Sequence, residues 1–294
     1  MFDRVNRLSA ACLLFLSVAL SLPAAAQTAP PIEYRLSFPE PEHHWMQVDV
    51  RFPALGSGPL ELRMARSSPG RYSLHDFAKN VYAVQALDAD GHEIPAIPSD
   101  PYGWRVEQHK GALSLRYRVF GDRVDGTYLA VDSTHAHINM PAALMFARGL
   151  DDRPATVTFV RPAGHENWLV ATQLMPGPSP LEFTAPNLQY LMDSPAEFGP
   201  VAIHTFVVDG HTFRFAAHHD GTPEELERYV ADVRAIVTEQ RAIYGEYPTY
   251  EPGYYTFLAD YLPYANGDGM EHRNSTVISA AGAIRTDRPR LLGT

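Results

Sequence analysis

Along much of the chain, apolar side chains recur at every second position. Ile32, Tyr34, Leu36 and Phe38 share one parity, and so do Met46, Val48, Val50 and Phe52. Leu60, Leu62 and Met64 repeat the pattern, as do Leu113, Leu115, Tyr117 and Val119. A period of two, broken by Pro, Gly and Asp, predicts half-buried strands of an antiparallel sandwich. Asp88-Ala89-Asp90-Gly91 predicts a turn. Asp209-Gly210, between Phe206-Val207-Val208 and Phe213-Arg214-Phe215, predicts a tight hairpin. The period changes at Thr222. Thr222-Pro223-Glu224-Glu225 has the form of a capping box with Pro at the first helical position. Leu226, Tyr229, Val230, Val233, Ile236, Val237 and Ile243 then follow at helical spacing, and Gly245 marks a stop. The expectation is a helix from Pro223 to Tyr244, then strands around residues 254–258 and 275–278. The fold class is mainly β: an antiparallel β-sandwich over residues 27–217, followed by the start of an α+β domain over 218–294.

The first residues read differently. Arg4 and Arg7 precede an apolar run reaching Leu22, and Pro23-Ala24-Ala25-Ala26 places small residues where a signal peptidase needs them. Residues 1–26 are therefore expected to be a signal peptide, cleaved after Ala26, and the protein to be exported to the periplasm or beyond. A membrane anchor is the alternative, but the run is short of the roughly 20 residues a span needs. Cys12 is the only cysteine and leaves with that leader, so a thiol enzyme is excluded. A net charge of -10, without long blocks of one sign, argues against nucleic acid and anionic membranes as partners. The apolar fraction of 45% is enough for a substantial core.

Thirteen histidines invite metal chemistry. A catalytic zinc is often held by two His one helical turn apart in His-Glu-x-x-His. His92-Glu93 and His165-Glu166 begin that pattern and do not complete it. His135-Ala136-His137 sets two imidazoles on one face of a strand, where they either bind a metal or pack. His218-His219-Asp220 and His43-His44 are adjacent pairs whose side chains point apart on a strand, which disfavours a shared ion. The serine-hydrolase elbow, the P-loop and the dinucleotide glycine fingerprint are absent. One segment gathers unusual chemistry: Asn266-Gly267-Asp268-Gly269-Met270-Glu271-His272-Arg273-Asn274-Ser275-Thr276. Glycines let a backbone approach a ligand, and a carboxylate, an imidazole and a guanidinium then follow in succession. Read from composition alone, it is a Gly-rich hairpin with a polar exit.

The run Gly269-Met270-Glu271-His272 resembles the Gly-x-(Met/Leu)-Glu-His signature of the glycyl aminopeptidase family, metallopeptidase family sixty-one, of gluzincin type. Three further segments resemble that family in the right order. They are Pro69-Gly70-Arg71-Tyr72 through Asp76-Phe77-Ala78-Lys79-Asn80-Val81, Asp193-Ser194-Pro195-Ala196-Glu197-Phe198-Gly199, and Tyr244-Gly245-Glu246-Tyr247-Pro248. An aromatic residue that often precedes the Pro-Gly pair is replaced by Ser67-Ser68. The resemblance covers nearly all of the chain after the leader. It implies a β-sandwich leading into a thermolysin-like catalytic domain, often followed by a PDZ domain.

It also implies that the chain is the N-terminal part of an exported zinc aminopeptidase removing small residues such as Gly or Ala from peptides with a free N-terminus. The family's zinc helix would begin just after Leu291-Leu292-Gly293-Thr294. On that reading the full-length protein uses zinc, while this chain alone holds no catalytic residue and no metal ligand, binds no zinc and is inert. Asp287 to Thr294 reads as the start of an unfinished helix. By the resemblance, Glu271 receives the substrate's α-ammonium, Gly269 and Met270 meet its backbone, and His272 with Arg273 orients Glu271. Two other readings stay open: a non-catalytic periplasmic β-sandwich module that binds peptide or glycan, and an endopeptidase on the same fold.

Overall fold

The computed structural model describes residues 29–293; the expected leader at residues 1–26, with Cys12 and its cleavage site, lies outside them. An eight-stranded sheet runs in the order Met175–Pro176, Glu182–Ala185, Ala155–Val160, Ile32–Glu40, Trp45–Phe52, Leu113–Phe120, Val81–Leu87, Glu93–Ile94. Two four-stranded sheets complete the first unit. One comprises Leu169–Thr172, Ala196–Gly199, Ala136–Ile138 and Ala130–Val131. The other comprises Phe146–Ala147, Leu60–Arg63, Gly103–Val106 and Ile97–Asp100.

The period of two is realised directly. In Trp45–Phe52 the residues Met46, Val48, Val50 and Phe52 are buried, and the alternate ones face outward. Residues of all three sheets enter one apolar core, among them Leu36, Phe38, Leu62, Tyr117, Ile138, Phe159 and Phe198. One pairing departs from the antiparallel expectation: Ile32–Glu40 runs parallel to Ala155–Val160. Parallel neighbours need a long crossover, which the intervening sheets supply.

A second, five-stranded sheet has the order Ala202–Val208, His211–His219, Tyr254–Tyr261, Ser275–Ala280, Asp268–Glu271. It corrects the expected domain boundary at 217. The hairpin strands Ala202–Val208 and His211–His219 belong to this sheet, because His211–His219 pairs in parallel with Tyr254–Tyr261. The division therefore falls near residue 200. Alternation identifies a strand but not the sheet it joins. Asp209 and Gly210 both have positive φ, 47° and 80°, as a two-residue hairpin turn of the primed type requires.

The helix Pro223–Tyr244 lies where its spacing predicts. Thr222 accepts from the Glu225 N–H at 3.3 Å, and Glu225 accepts from the Thr222 N–H at 2.9 Å. Leu226, Tyr229, Val230, Val233 and Val237 pack on Phe213, Phe215 and Tyr261. Ile236 and Ile243, in the same periodic set, are exposed. A last helix, Ile284–Leu291, starts before the expected Asp287. There Asp287 accepts from the Ala283 N–H at 3.1 Å, and the Leu291 carbonyl accepts from the buried Tyr229 hydroxyl at 2.9 Å. Among the described residues no helix is long and apolar enough to cross a membrane.

The capping box makes a direct prediction. Thr222→Ala removes the side-chain acceptor and should lower stability by about 1 kcal/mol, read as a reduced midpoint in denaturant unfolding with an unchanged slope.

Candidate functional site

The Gly-rich segment forms a hairpin at the rim of the five-stranded sheet. Asp268–Glu271 pairs antiparallel with Ser275–Ala280, in the register Met270↔Val277 and Glu271↔Thr276. The His272 N–H donates to the Ser275 carbonyl at 2.9 Å. Antiparallel pairs alternate between bonded and non-bonded, so the backbone groups of Met270 turn toward the partner strand. Those of Gly269 and Glu271 turn toward the free edge. Side chains alternate as well: Met270 is buried, whereas Gly269 and Glu271 are exposed.

Three loops of the sandwich hold this strand. Gly70, at φ +74°, approaches so closely that a Cβ there would lie 3.1 Å from the Glu271 carbonyl oxygen and 3.2 Å from its nitrogen. Arg71 donates to the Thr127 hydroxyl at 2.6 Å and pairs with Asp268. Gly126, at φ +70°, passes over Val277 and Met270. Asp193 pairs with His272 Nδ1 at 2.9 Å and accepts from the Arg273 N–H at 3.1 Å. The fully buried Gln173 accepts from the Asn274 N–H and the Ser275 hydroxyl, both at 2.8 Å. Ser68 is buried and donates to Asn139, whose amide donates to the Thr127 carbonyl at 2.6 Å.

The four residues expected to bind substrate thus separate. Glu271 faces solvent, and the space above Gly269 is open. Met270 is turned inward. Its carbonyl accepts from the Thr276 hydroxyl at 2.9 Å, and its side chain packs with Ala171, Val201, Ala216, Leu258 and Val277 between the two units. His272 is buried on Asp193, and Arg273 pairs with Glu251. Both secure the turn, and neither reaches Glu271 through these bonds.

A second polar group lies between the two units, and the sequence pattern did not assemble it. His135, His137 and Glu197 come from the sandwich; His218 and Asp260 come from the five-stranded sheet. His135, His137, Glu197 and Asp260 are buried. His137 pairs with Glu197 through Nδ1, and its Nε2 lies 3.1 Å from the Gly126 carbonyl. His135 Nδ1 lies 3.3 Å from Asp132 Oδ1. Burial opposes an imidazolium at His135, but Asp260 and Asp132 outweigh it and raise its pKa to about 10. Burial opposes charge at His137 as well, and Glu197 raises it to about 9. Burial also works against the charged form of Asp260, yet the histidines, His135 first, hold it well below the usual carboxylate range. Glu197 moves the other way, pushed up by burial and by Asp260 against the pull of His137. His219 points elsewhere and accepts from the Gly221 N–H at 3.0 Å. Asp260 and Glu197 carry no local sequence signal, because their partners are remote in the chain.

A groove on the outer face of the eight-stranded sheet offers less. At its centre Asp49 takes Arg116 at 2.6 Å and Arg35 at 3.9 Å.

Residues 33–200 match the Peptidase M61 N-terminal domain. Among solved structures, an aminopeptidase N family protein from Idiomarina loihiensis is similar, with a TM-score of 0.76 at 24% identity over 85% of this chain and 42% of that one. The chain therefore spans less than half the length of that relative. Looser overlaps occur with the M1 zinc metallopeptidase from Deinococcus radiodurans, at 16% identity over 90% of this chain and 61% of that one, TM-score 0.47. A mutant form of that protein bound to a Tyr-Ser-Ala substrate overlaps at 16% identity over 90% and 63%, TM-score 0.47. No curated protein matches the chain. The first likeness establishes a shared fold.

The close approach of Gly70 to the strand is testable. Gly70→Val places a branched side chain at positive φ against the Glu271 backbone. It should cost about 1–3 kcal/mol of stability and speed amide exchange at Met270 and Val277, the bonded pair of this hairpin, measured by hydrogen–deuterium exchange. Unchanged exchange there would show that the loop does not hold the strand.

Proposed function

Since the chain belongs to the M61 peptidase family through its N-terminal domain, we propose that it is the substrate-anchoring part of an exported zinc aminopeptidase acting on peptides with a small first residue, Gly or Ala. The observation that carries this reading is the exposed Glu271 side chain on an edge strand that the Gly70 loop covers at Glu271 and leaves open at Gly269. A peptide can add to such an edge by main-chain hydrogen bonds. A carboxylate two residues beyond the glycine, on the same side of the strand, can then pair with the peptide's α-ammonium and set how far the chain enters.

This chain's own residues do not fit the zinc that performs hydrolysis in such enzymes. It contains no His-Glu-x-x-His, and His135 and His137 are buried between the two units. The work of these residues is positional. Gly269 gives backbone room, Glu271 supplies a fixed negative charge, and Met270, His272, Gln173 and Asp193 keep the strand from moving when the substrate pulls on it. Orientation of this kind lowers the entropic part of the barrier, provided the anchoring group is itself held rigid.

In the full-length enzyme, Glu271→Ala should leave fold and metal content unchanged. It should lower kcat/KM for free-amine peptides by about ten- to a hundredfold, the value of a lost charge-assisted hydrogen bond. N-acetylated peptides, which lack the cation, should be affected far less. Full activity of the variant on free-amine substrates would refute the assignment.

A further inference from the structure

The interface between the two units contains a second chemistry, distinct from substrate anchoring. We propose that His135, His218 and Asp260 bind one divalent transition-metal ion, zinc by the character of the ligands, and that this ion fastens the β-sandwich to the five-stranded sheet.

The geometry is that of ligands around a small cation rather than of an ion pair. His135 Nε2 lies 3.6 Å from one Asp260 oxygen, and His218 Nδ1 lies 3.7 Å from the other. Both distances are too long for hydrogen bonds. They are close to the about 3.3 Å that separates two ligand atoms on a tetrahedral ion with bonds near 2.0–2.2 Å. One ligand atom from each of the three residues lies within 4.8 Å of the others. The two imidazole rings are only 3.9 Å apart, centroid to centroid.

None of these atoms completes a hydrogen bond. His135 Nε2, His218 Nδ1 and Asp260 Oδ1 are buried and make no hydrogen bond, and so is Glu197 Oε2. The side chains of His135 and Asp260 are 0% and 3% exposed. A buried polar atom left unpaired costs about 1–3 kcal/mol. Several such atoms converging on one point call for an occupant. Glu197 adds a second buried carboxylate, with an oxygen within 4.8 Å of Asp260. A divalent cation neutralises both acids.

The surroundings match those of a metal ligand set. Asp132 lies 3.3 Å from Nδ1 of His135 and also accepts its backbone N–H at 3.0 Å. That contact holds the ring with Nε2 facing Asp260, where a bound cation would take the place of the Nε2 proton. A carboxylate behind the imidazole is the usual support of a metal-binding histidine. His218 and Asp260 are register partners on adjacent parallel strands, so their side chains leave the sheet on one face. Gly199 lets His135 come this close, since a Cβ there would stand 2.8 Å from that of His135. The group Asp88, Asp90 and His92 at the turn contrasts with this one, because Lys110 already bridges its two carboxylates at 2.7 Å.

Two imidazoles and a carboxylate are ligands that zinc accepts. The site is enclosed, so the ion's role is structural. This departs from the sequence-based expectation that the chain binds no metal. It is independent of the aminopeptidase reading, since without His-Glu-x-x-His any zinc retained by this chain is not the hydrolytic ion.

The test uses the chain as it stands, with elemental analysis after zinc loading and exhaustive dialysis. About one zinc per chain is expected, with a chelator lowering Tm and added zinc restoring it. Cobalt(II) in place of zinc should give the visible d–d absorption of a low-coordinate site. Asp260→Asn and His218→Gln should each weaken zinc binding at least tenfold, while His92→Ala, on the exposed turn, keeps full stoichiometry. A metal-free chain whose Tm responds to neither zinc nor chelator, and which gives no cobalt band, overturns the proposal even if no variant folds. So does zinc binding that survives both substitutions.

Discussion

The interface depends on how the short strand Asp268–Glu271 is held at the rim of its sheet. Four residues bonded along one side have little stability of their own, and an open edge invites the wrong partner. Here the strand is fixed from several directions by groups it does not itself carry. Gly70 packs against its main chain, Arg71 takes Asp268, and Asp193 with Gln173 closes the turn behind it. Met270 drives its side chain into the apolar seam between the two units. Rigidity at one exposed carboxylate thus requires that both units be folded and in register.

One segment of the sandwich serves both polar centres. In Asp193-Ser194-Pro195-Ala196-Glu197-Phe198-Gly199, the first residue secures His272, Glu197 holds His137, and the final glycine makes room for His135. The intervening apolar residues Ala196 and Phe198 enter the sandwich core. Movement of this strand would therefore be felt at once by the hairpin and by the buried histidine group. Two centres that look separate share one mechanical support.

Local patterns were legible where a single element contains its own determinants. The strands with alternating apolar residues, the capping box at Thr222, the Asp209-Gly210 turn and the exposed pair Gly269 and Glu271 all follow from periods of two or 3.6 and from glycine's tolerance of positive φ. What escaped was whatever depends on a distant partner. The hairpin 202–219 alternates like any sandwich strand, and only its parallel pairing with Tyr254–Tyr261 assigns it to the second sheet. Met270 reads as a contact residue until the register turns its carbonyl inward. In the sequence His135 and His218 each stand near another histidine, whereas the fold joins them to each other through Asp260, a residue with no motif around it.

The parallel pairing of Ile32–Glu40 with Ala155–Val160 has a kinetic meaning. The first strand can join its antiparallel neighbour Trp45–Phe52 early, but its other edge stays open until a segment far along the chain arrives. Closing so long a loop is slow, because its entropy is lost before the contact is gained. A nascent chain therefore carries that strand with one edge open until a segment more than a hundred residues later has emerged. Folding of the sandwich is timed by the emergence of residues 155–160 rather than by its own beginning.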